Sequence, residues 1–481
     1  MRTRQLFLSS LIVLLSGLPA AAATYTVKGS GGSFTTIQAC ASAAVAGDTC
    51  EVYAGSYSGW TQSTNGSAGN PITFKAHTGD TVTITSTVTV TNRRYITIDG
   101  FRFTGQAINA VDGSGTTTSN IVFRNNTIVW SSSGSSSASI YLYGDRSLIE
   151  NNEISGSGSD AMEIGGQNVV VRGNYFHDVN GSTSGEHIDF VQVIGGGTTP
   201  TLSFSLIENN VERNCFNDGG NCHFVIIRTG SGPVADTVII RFNYAQNMDG
   251  SGVSLGGVGD NVPNARMYNN TIATGHLTAE NGDCVSFQNA PNGVVLNNIC
   301  YNTQANGWSP TISNAVGNGN IAFNTGYSGA WNSPYSTEET YATLRNKNPL
   351  FANFPTDGSL QAISPAIGAG VPLTTVAAGD SGTGVSMVVA DARVFQPGWA
   401  GVQADWLRVG LTTTVQIASI NYATNTITLA SPISRSPGTP VYLYKDSNGQ
   451  GVLFGIAPDI GAFPFGQAGS TPGTPTQVLV Q

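Results

Sequence analysis

Along residues 122–326 the apolar residues do not recur every three to four positions, as a helix face requires. They alternate with polar ones in short runs. The runs "VFRNNTI", "LIENNEI", "VVRGNYF", "LIENNVE", "IIRFNYA", "RMYNNTI", "VVLNNIC" and "NIAFNTG" each carry an asparagine at the end of an apolar strand: Asn126, Asn152, Asn174, Asn210, Asn243, Asn270, Asn298 and Asn324. A turn rich in Gly, Ser and Asn follows, and then a second alternating run: "SIYLYG", "AMEIGG", "FVQVIGG", "FVIIRTG", "GVSLGG" or "CVSFQN". Period-two alternation broken by turns predicts strands, and a repeat of 22 to 36 residues predicts that they stack coil upon coil.

A single coil cannot bury its apolar face alone, whereas coils stacked at about 4.8 Å share one continuous core. The pattern therefore predicts an all-β chain, a right-handed parallel β-helix over residues 24–370. The recurrent asparagine is expected to form a ladder, its amide giving to and accepting from neighbouring coils where backbone groups would otherwise go unpaired. Ahead of the repeats, "SFTTIQACASAAVAGDTCEVYAGSY" reads as a short helix capped by Thr35 or Ser33 and ended by Gly47, then a strand from Thr49. Such a helix plugs the open end of the solenoid and hides an aggregation-prone edge. Beyond residue 326 the texture changes. "VQIASINYATNTITLASPI" reads as two strands about an Ala-Thr-Asn turn, so 371–465 is expected to be a small β extension or cap and 466–481 a flexible tail.

Residues 1–23 place Met1, Arg2 and Arg4 before "LFLSSLIVLLSGLPAAAA", the pattern of a secretory signal peptide cleaved near Ala23. No other apolar run is long enough to cross a bilayer, so the expected product is secreted, extracellular or periplasmic, with no membrane span, and acts as a monomer. A net charge of −9 argues against nucleic acid as partner. Sixty glycines with only 10% charged residues suit a chain of many tight turns. In an exported chain the six cysteines favour disulfides over metal thiolates. Spacing pairs Cys40 with Cys50 and Cys215 with Cys222, and leaves the pairing of Cys284 with Cys300 open.

Candidate chemistry gathers around "GEHIDFVQVIGG", residues 185–196. Aligning the second strands puts Asp160, Asp189, His223, Ser251 and Asp283 in one column, neighbours about 5 Å apart. A second, outward-facing row is expected to hold Glu163, Gln192, Arg228 and Gln288. The two longest repeat intervals, 36 and 33 residues, predict loops "HDVNGSTSGEHID" and "NCFNDGGNCH" raised beside this strip, walls of a groove for an extended sugar polymer. His177, Glu186 and His187 lie in the first loop. An aspartate before a strand often only closes an Asx turn. Two in adjacent coils repel unless a cation or a shared proton compensates, which points to a functional role for Asp160 and Asp189.

The opening "FTTIQACASAAVAGDTCEVYAGSY", the asparagine coils and the closing "SPAIGAG" with "PDIGAFPF" resemble the secreted pectate-lyase-like β-helix superfamily of bacterial polysaccharide lyases and related glycosidases. The resemblance implies a carbohydrate-active enzyme with a polysaccharide as partner, and leaves two chemistries open. In the first, Asp189 with Asp160 or Glu163 holds Ca²⁺, which neutralises a uronate carboxylate so that a base can take the C5 proton and the glycosidic oxygen leaves by β-elimination. "GEHIDFVQV" and "NCFNDGG" are similar to the calcium-binding coils of family nine pectate lyases, which implies Asp189 and Asp218 as ligands. Those lyases use a lysine base. Here Lys28, Lys75, Lys347 and Lys445 lie off the central coils, and Arg228, His187 or His223 would have to serve. In the second chemistry, "DCVSF" and the series Asp160, Asp189, His223 are similar to polygalacturonase-type glycosidases, with Asp160 and Asp189 as the acid and its partner. Glu163, His177, Glu186 and Gln192 would contact substrate in either case. A glycan-binding surface protein without turnover is a third reading. The lyase is favoured over the hydrolase, because an acidic chain holds an acidic polymer only where local positive charge intervenes.

Overall fold

The computed structural model describes residues 22–110, 118–129, 138–156, 160–181, 188–195, 201–217, 222–228, 232–256, 260–275, 283–303, 308–310, 315–325, 346–354, 357–399 and 401–466. Its strands wind as the alternation predicts. One coil runs through Leu148–Glu150 on the first face, Glu153–Ser155 on the second and Met162–Gln167 on the third, then returns to the first at Val170–Arg172. All pairings between coils are parallel, Leu148 with Val170, Glu153 with Tyr175 and Met162 with Val191 among them. Inward side chains of the three faces merge into one core.

The turn between the first and second faces is what makes the coils superimpose. The residue before each ladder asparagine takes a left-handed conformation, φ between 53° and 67°, at Asn125, Asn151, Gly173, Asn209, Phe242, Asn269, Asn297 and Gly319. Asn and Gly tolerate that region, which is why "NN" and "GN" recur. The asparagine that follows turns its side chain inward. Asn126, Asn152, Asn174, Asn210, Asn243, Asn270 and Asn298 each donate from Nδ2 to the next Oδ1 at 2.9 or 3.0 Å. Each of those oxygens also accepts the backbone N–H of the preceding asparagine. The last rung is Asn320, not Asn324. Asn324 stands beyond the strand Ile321–Phe323 and donates to Asn302 instead, because the turn follows Gly319.

Two positions before the ladder, the first face carries a column of alternating charge: Glu51, Lys75, Asp99, Arg124, Glu150, Arg172, Glu208 and Arg241 stand in register on successive coils. Lys75 meets Glu51 at 2.9 Å, Arg124 meets Asp99 at 2.8 Å, Arg172 meets Glu150 at 2.7 Å and Arg241 meets Glu208 at 2.8 Å. Opposite charges directly across a strand pair stabilise this register and like charges penalise a slip.

The second half of this column is covered. Strands Thr374–Thr375, Gly382–Val388, Trp406–Val409, Thr413–Asn421, Thr426–Arg435 and Pro440–Lys445 form an antiparallel sheet. Its apolar side packs on outward residues of the first face, Leu148, Val170, Leu206, Ile239 and Leu296, through Val394, Leu407 and Val415. The expected extension therefore lies along the flank of the solenoid. Arg241 bridges the two parts, its guanidinium donating to both oxygens of Asp405 at 2.8 Å. Burial works against its charge, but Asp405 and Glu208 together more than offset that and hold it ionised. "SPAIGAG" meets "PDIGAFPF" at Ile460 N to Ala366 O, 2.9 Å, and Gly370 N to Pro458 O, 2.8 Å.

The N-terminal helix is Ile37–Ala43, with Ile37, Cys40 and Ala41 buried against the core. Its cap is Thr36, whose hydroxyl accepts from Ala39 N at 3.2 Å, rather than Thr35 or Ser33, since the Ser33 hydroxyl accepts the Thr26 amide. It ends at Ala44, and Gly47 makes the left-handed turn that follows. Disulfides join Cys40 to Cys50, Cys215 to Cys222 and Cys284 to Cys300. The two longest repeats carry seven-residue strands, Tyr175–Gly181, Ile188–Ile194, Leu202–Glu208, Val211–Asn217, Cys222–Arg228 and Ala235–Arg241, so "HDVNG" and "NCFN" are strand, while 182–187 and 218–221 of the expected loops lie outside the described residues. Among the described residues no helix is long and apolar enough to cross a membrane. The expected signal peptide, up to residue 21, and the tail from residue 467 lie outside the described residues.

Two substitutions test these supports by urea unfolding. Asn210→Ala removes the acceptor of the Asn174 backbone and side-chain N–H groups and a donor to Val171 O, at a cost of about 1–3 kcal/mol for each buried group orphaned. Asp405→Ala leaves the buried Arg241 guanidinium with one carboxylate, Glu208, and the Tyr268 hydroxyl, and should cost roughly 3–5 kcal/mol. Changes under half a kcal/mol would assign register and docking to apolar packing alone.

Candidate functional site

The aligned column is present in the structure. Asp189 pairs with His223 on the next coil of the third face, and its backbone N–H donates to Asp160 Oδ1 on the coil before, at 2.9 Å. Ser251 and Asp283 continue the column, since Val225, Val253 and Val285 pair in turn. Beneath it Phe190 packs between Phe176 and Phe224 in the core, ring centroids 5.6 and 5.3 Å away, and the Cys215–Cys222 disulfide fixes the strand end that carries His223.

Asp189 is completely buried and grips two side chains at once. Its Oδ1 lies 2.8 Å from His223 Nδ1 and its Oδ2 accepts from Gln192 Nε2 at 3.1 Å. A carboxylate opposite Nδ1 keeps the proton on that nitrogen and leaves the lone pair on Nε2, the tautomer of a general base. The His223 side chain keeps one-tenth of its surface exposed, so it sits at the edge of solvent while Asp189 does not. Asp189 thus holds the His223 ring from behind without itself reaching solvent.

Sequence reasoning missed a third acid behind this pair. Glu212 occupies an inward position, in register with Phe176 and Ala245, and is fully buried. Neither carboxyl oxygen has a hydrogen-bond partner among the described residues. Burial, with a smaller contribution from the Asp189 charge, pushes its pKa up to about 8, so the group is neutral at pH 7. The signal was available: in "LIENNVE" an acid stands where the alternation calls for an apolar residue.

In the outward row Glu163 and Gln192 are neighbours in register, and Tyr141 precedes Glu163 on the coil before. The Tyr143 hydroxyl donates to Glu163, while burial raises the pKa of that carboxyl. Arg228 is not in this row. It pairs with Ile194, two positions further along the strand, and donates across the intervening coil to Gln288 at 3.3 Å. Arg228 stands five positions beyond His223 on one strand, roughly 16 Å along the backbone.

His177 lies on the second face, stacked on Tyr175 with ring centroids 4.1 Å apart. It is bonded to Glu153 at 3.1 Å and Asp178 at 2.8 Å. That face is not the one that carries His223. Glu186, His187 and Asp218 lie outside the described residues. The described carboxylates do not fit Ca²⁺, since both oxygens of Asp189 face N–H donors, Asp160 accepts a backbone amide and Glu163 accepts a hydroxyl. Among the described residues no three His, Cys, Asp or Glu side chains cluster as a metal site.

The buried acid gives a pH test. Because the folded-state pKa of Glu212 is raised, its contribution is complete below about 4.5, falls as pH rises, and is lost by about 8. Glu212→Gln keeps the shape without the proton, so its unfolding free energy should fall less steeply from pH 5 to 8.5, by a few kcal/mol. An unchanged slope would mean that the folded protein holds Glu212 ionised.

Comparison with known proteins bears on the scaffold. No curated protein matches the chain. Among solved structures, pectate lyase Pel9A is 16% identical, over 73% of this chain and 92% of its own, with a TM-score of 0.41. XylC in complex with xylose is 12% identical, over 62% and 76%, with a TM-score of 0.42. The PL6 family polysaccharide lyase Pedsa3628 from Pseudopedobacter saltans is 15% identical, over 61% and 83%, with a TM-score of 0.37. Residues 106–272, which include Asp160, Asp189 and His223, match the family model for a right handed beta helix region, in agreement with the coils observed.

Proposed function

We propose that the protein is a carbohydrate-active enzyme that works in an oxidising compartment outside the cytoplasm. In this reading it cleaves a uronate-containing polysaccharide by β-elimination. The observation that carries the reading is the grip of buried Asp189 on both His223 and Gln192. His223 Nε2 takes the C5 proton of the uronate, the electron pair forms the C4–C5 double bond, the C4–O bond breaks and the departing oxygen takes a proton from solvent water, to which His223 then returns its own. Gln192 has a second N–H on the amide that Asp189 orients, and it hydrogen-bonds the uronate carboxylate as negative charge builds at C5. Three disulfides suit an oxidising compartment.

The hydrolase reading loses support from the same contacts. Asp160 and Asp189 are buried with N–H donors on their oxygens, which keeps both from a glycosidic bond. No step is routed through a metal, so chelator should leave turnover unchanged. Loss of turnover with chelator would return the question to calcium and Asp218.

The test follows ultraviolet absorbance and reducing ends on a panel of uronate and neutral polysaccharides. Unsaturated product is expected. His223→Gln, which keeps an N–H donor for the buried Asp189 carboxylate, should lower its rate by about 10²–10⁴-fold with the thermal transition nearly unchanged, whereas His223→Ala should lose the rate and also destabilise the fold. Asp189→Asn should act in the same direction by releasing the tautomer. Reducing ends without unsaturation would mean a hydrolase, and binding without either signal a glycan-binding protein.

A further inference from the structure

The third face carries opposite charges on the two sides of Gln192. One coil toward the N-terminus stands Glu163, bonded to the Tyr143 hydroxyl and preceded in the same row by partly buried Tyr141. One coil toward the C-terminus the row reaches Ile226, and Arg228 flanks it on the same outward side, two residues along the strand. Beyond Ile226 the row continues through Ser254 and Ser286, neutral and small; these three and Gln192 are buried, and half-buried Tyr141, Glu163 and Arg228, the last leaning over to Gln288, are what the face presents. Glu163 and Arg228 are thus two coil steps apart along the solenoid, about 10 Å, with Gln192 between them.

A polymer lying along this row meets three different surroundings in sequence. Over Tyr141 and Glu163 a sugar faces aromatic edges and a carboxylate, which suits an uncharged ring with hydroxyls to donate and repels an acidic one. Beside Arg228 it faces a guanidinium that suits a carboxylate. On the basis of the reading above, that a uronate sits at Gln192 and His223, we propose that the substrate is a heteropolymer. Its uncharged sugars bind on the Tyr141 and Glu163 side and its acidic sugars at Gln192 and Arg228. A polymer of uronate alone would place a carboxylate against Glu163.

The test measures retention by affinity electrophoresis of the full chain and of Glu163→Gln and Arg228→Gln in gels holding three kinds of polymer. These are a uronate homopolymer (polygalacturonate and alginate), a neutral glycan (β-glucan and galactan) and polymers in which uronate alternates with an uncharged sugar (hyaluronan and unsulfated chondroitin). The mixed polymers should retain the protein at least 10-fold better than either other class. Glu163→Gln should narrow that preference by improving retention on the homopolymer, and Arg228→Gln should weaken retention on every acidic polymer, with the thermal transition of both variants unmoved. Equal or better retention on the homopolymer, a Glu163→Gln change that leaves the preference intact, or retention on no polymer would overturn the proposal. Assaying the same samples for unsaturated product separates the two readings. Mixed-polymer retention without product sinks the lyase and keeps the charge assignment, whereas product from homopolymer at the mixed-polymer rate does the reverse.

Discussion

A buried amide cannot be left half-bonded, and in this protein that constraint recurs on every coil from Asn126 to Asn320. Each ladder asparagine is bonded to the coils on both sides, so a coil that slipped by one residue would orphan groups above and below it. The left-handed residue ahead of each rung sets the turn that presents the amide inward. Register along the whole solenoid follows from this corner, and with it every alignment on the other faces, including that of Asp160, Asp189 and His223.

The charge column on the first face reinforces the same register and marks the part of that face that is covered. From Glu150 onward its members are progressively covered, until Glu208 and Arg241 are completely buried and Asp405 of the flanking sheet closes the series. The flanking sheet thereby covers the first face from Leu148 to Leu296. The third face, with Asp189 behind His223 and Gln192, keeps its outward row. A rigid register there matters for the proposed chemistry, since His223 and Gln192 could work together only if both are held from below, and a single buried carboxylate holds both.

Most of the fold was legible because it is repetitive. Alternation gives the strands, the asparagines give the corner, and alignment of the second strands alone puts Asp189 next to His223. What failed were single positions whose role depends on neighbours in space. Asn324 has the look of a rung but follows the strand instead of preceding it, and Arg228 lies two residues past the row it was expected to join. The alternating column was hidden in plain letters, as Arg124, Glu150, Arg172, Glu208 and Arg241 each stand two places before an asparagine. Reading it required comparing repeats with each other rather than with a strand template. That the 371–465 segment would lie on a flank could not be read from its own pattern, because its apolar side fits a sheet that only the stacked coils create.

The proposed chemistry turns on Asp189 holding His223 with the proton on Nδ1 and the lone pair on Nε2. Long-range ¹H–¹⁵N correlation spectra of protein labelled at histidine, with the His223 signals identified by their loss in His223→Ala, read that tautomer directly. The account predicts the Nδ1–H form in the unmodified protein and its loss in Asp189→Asn. An Nε2–H tautomer, or a spectrum of His223 that Asp189→Asn leaves unchanged, would contradict it.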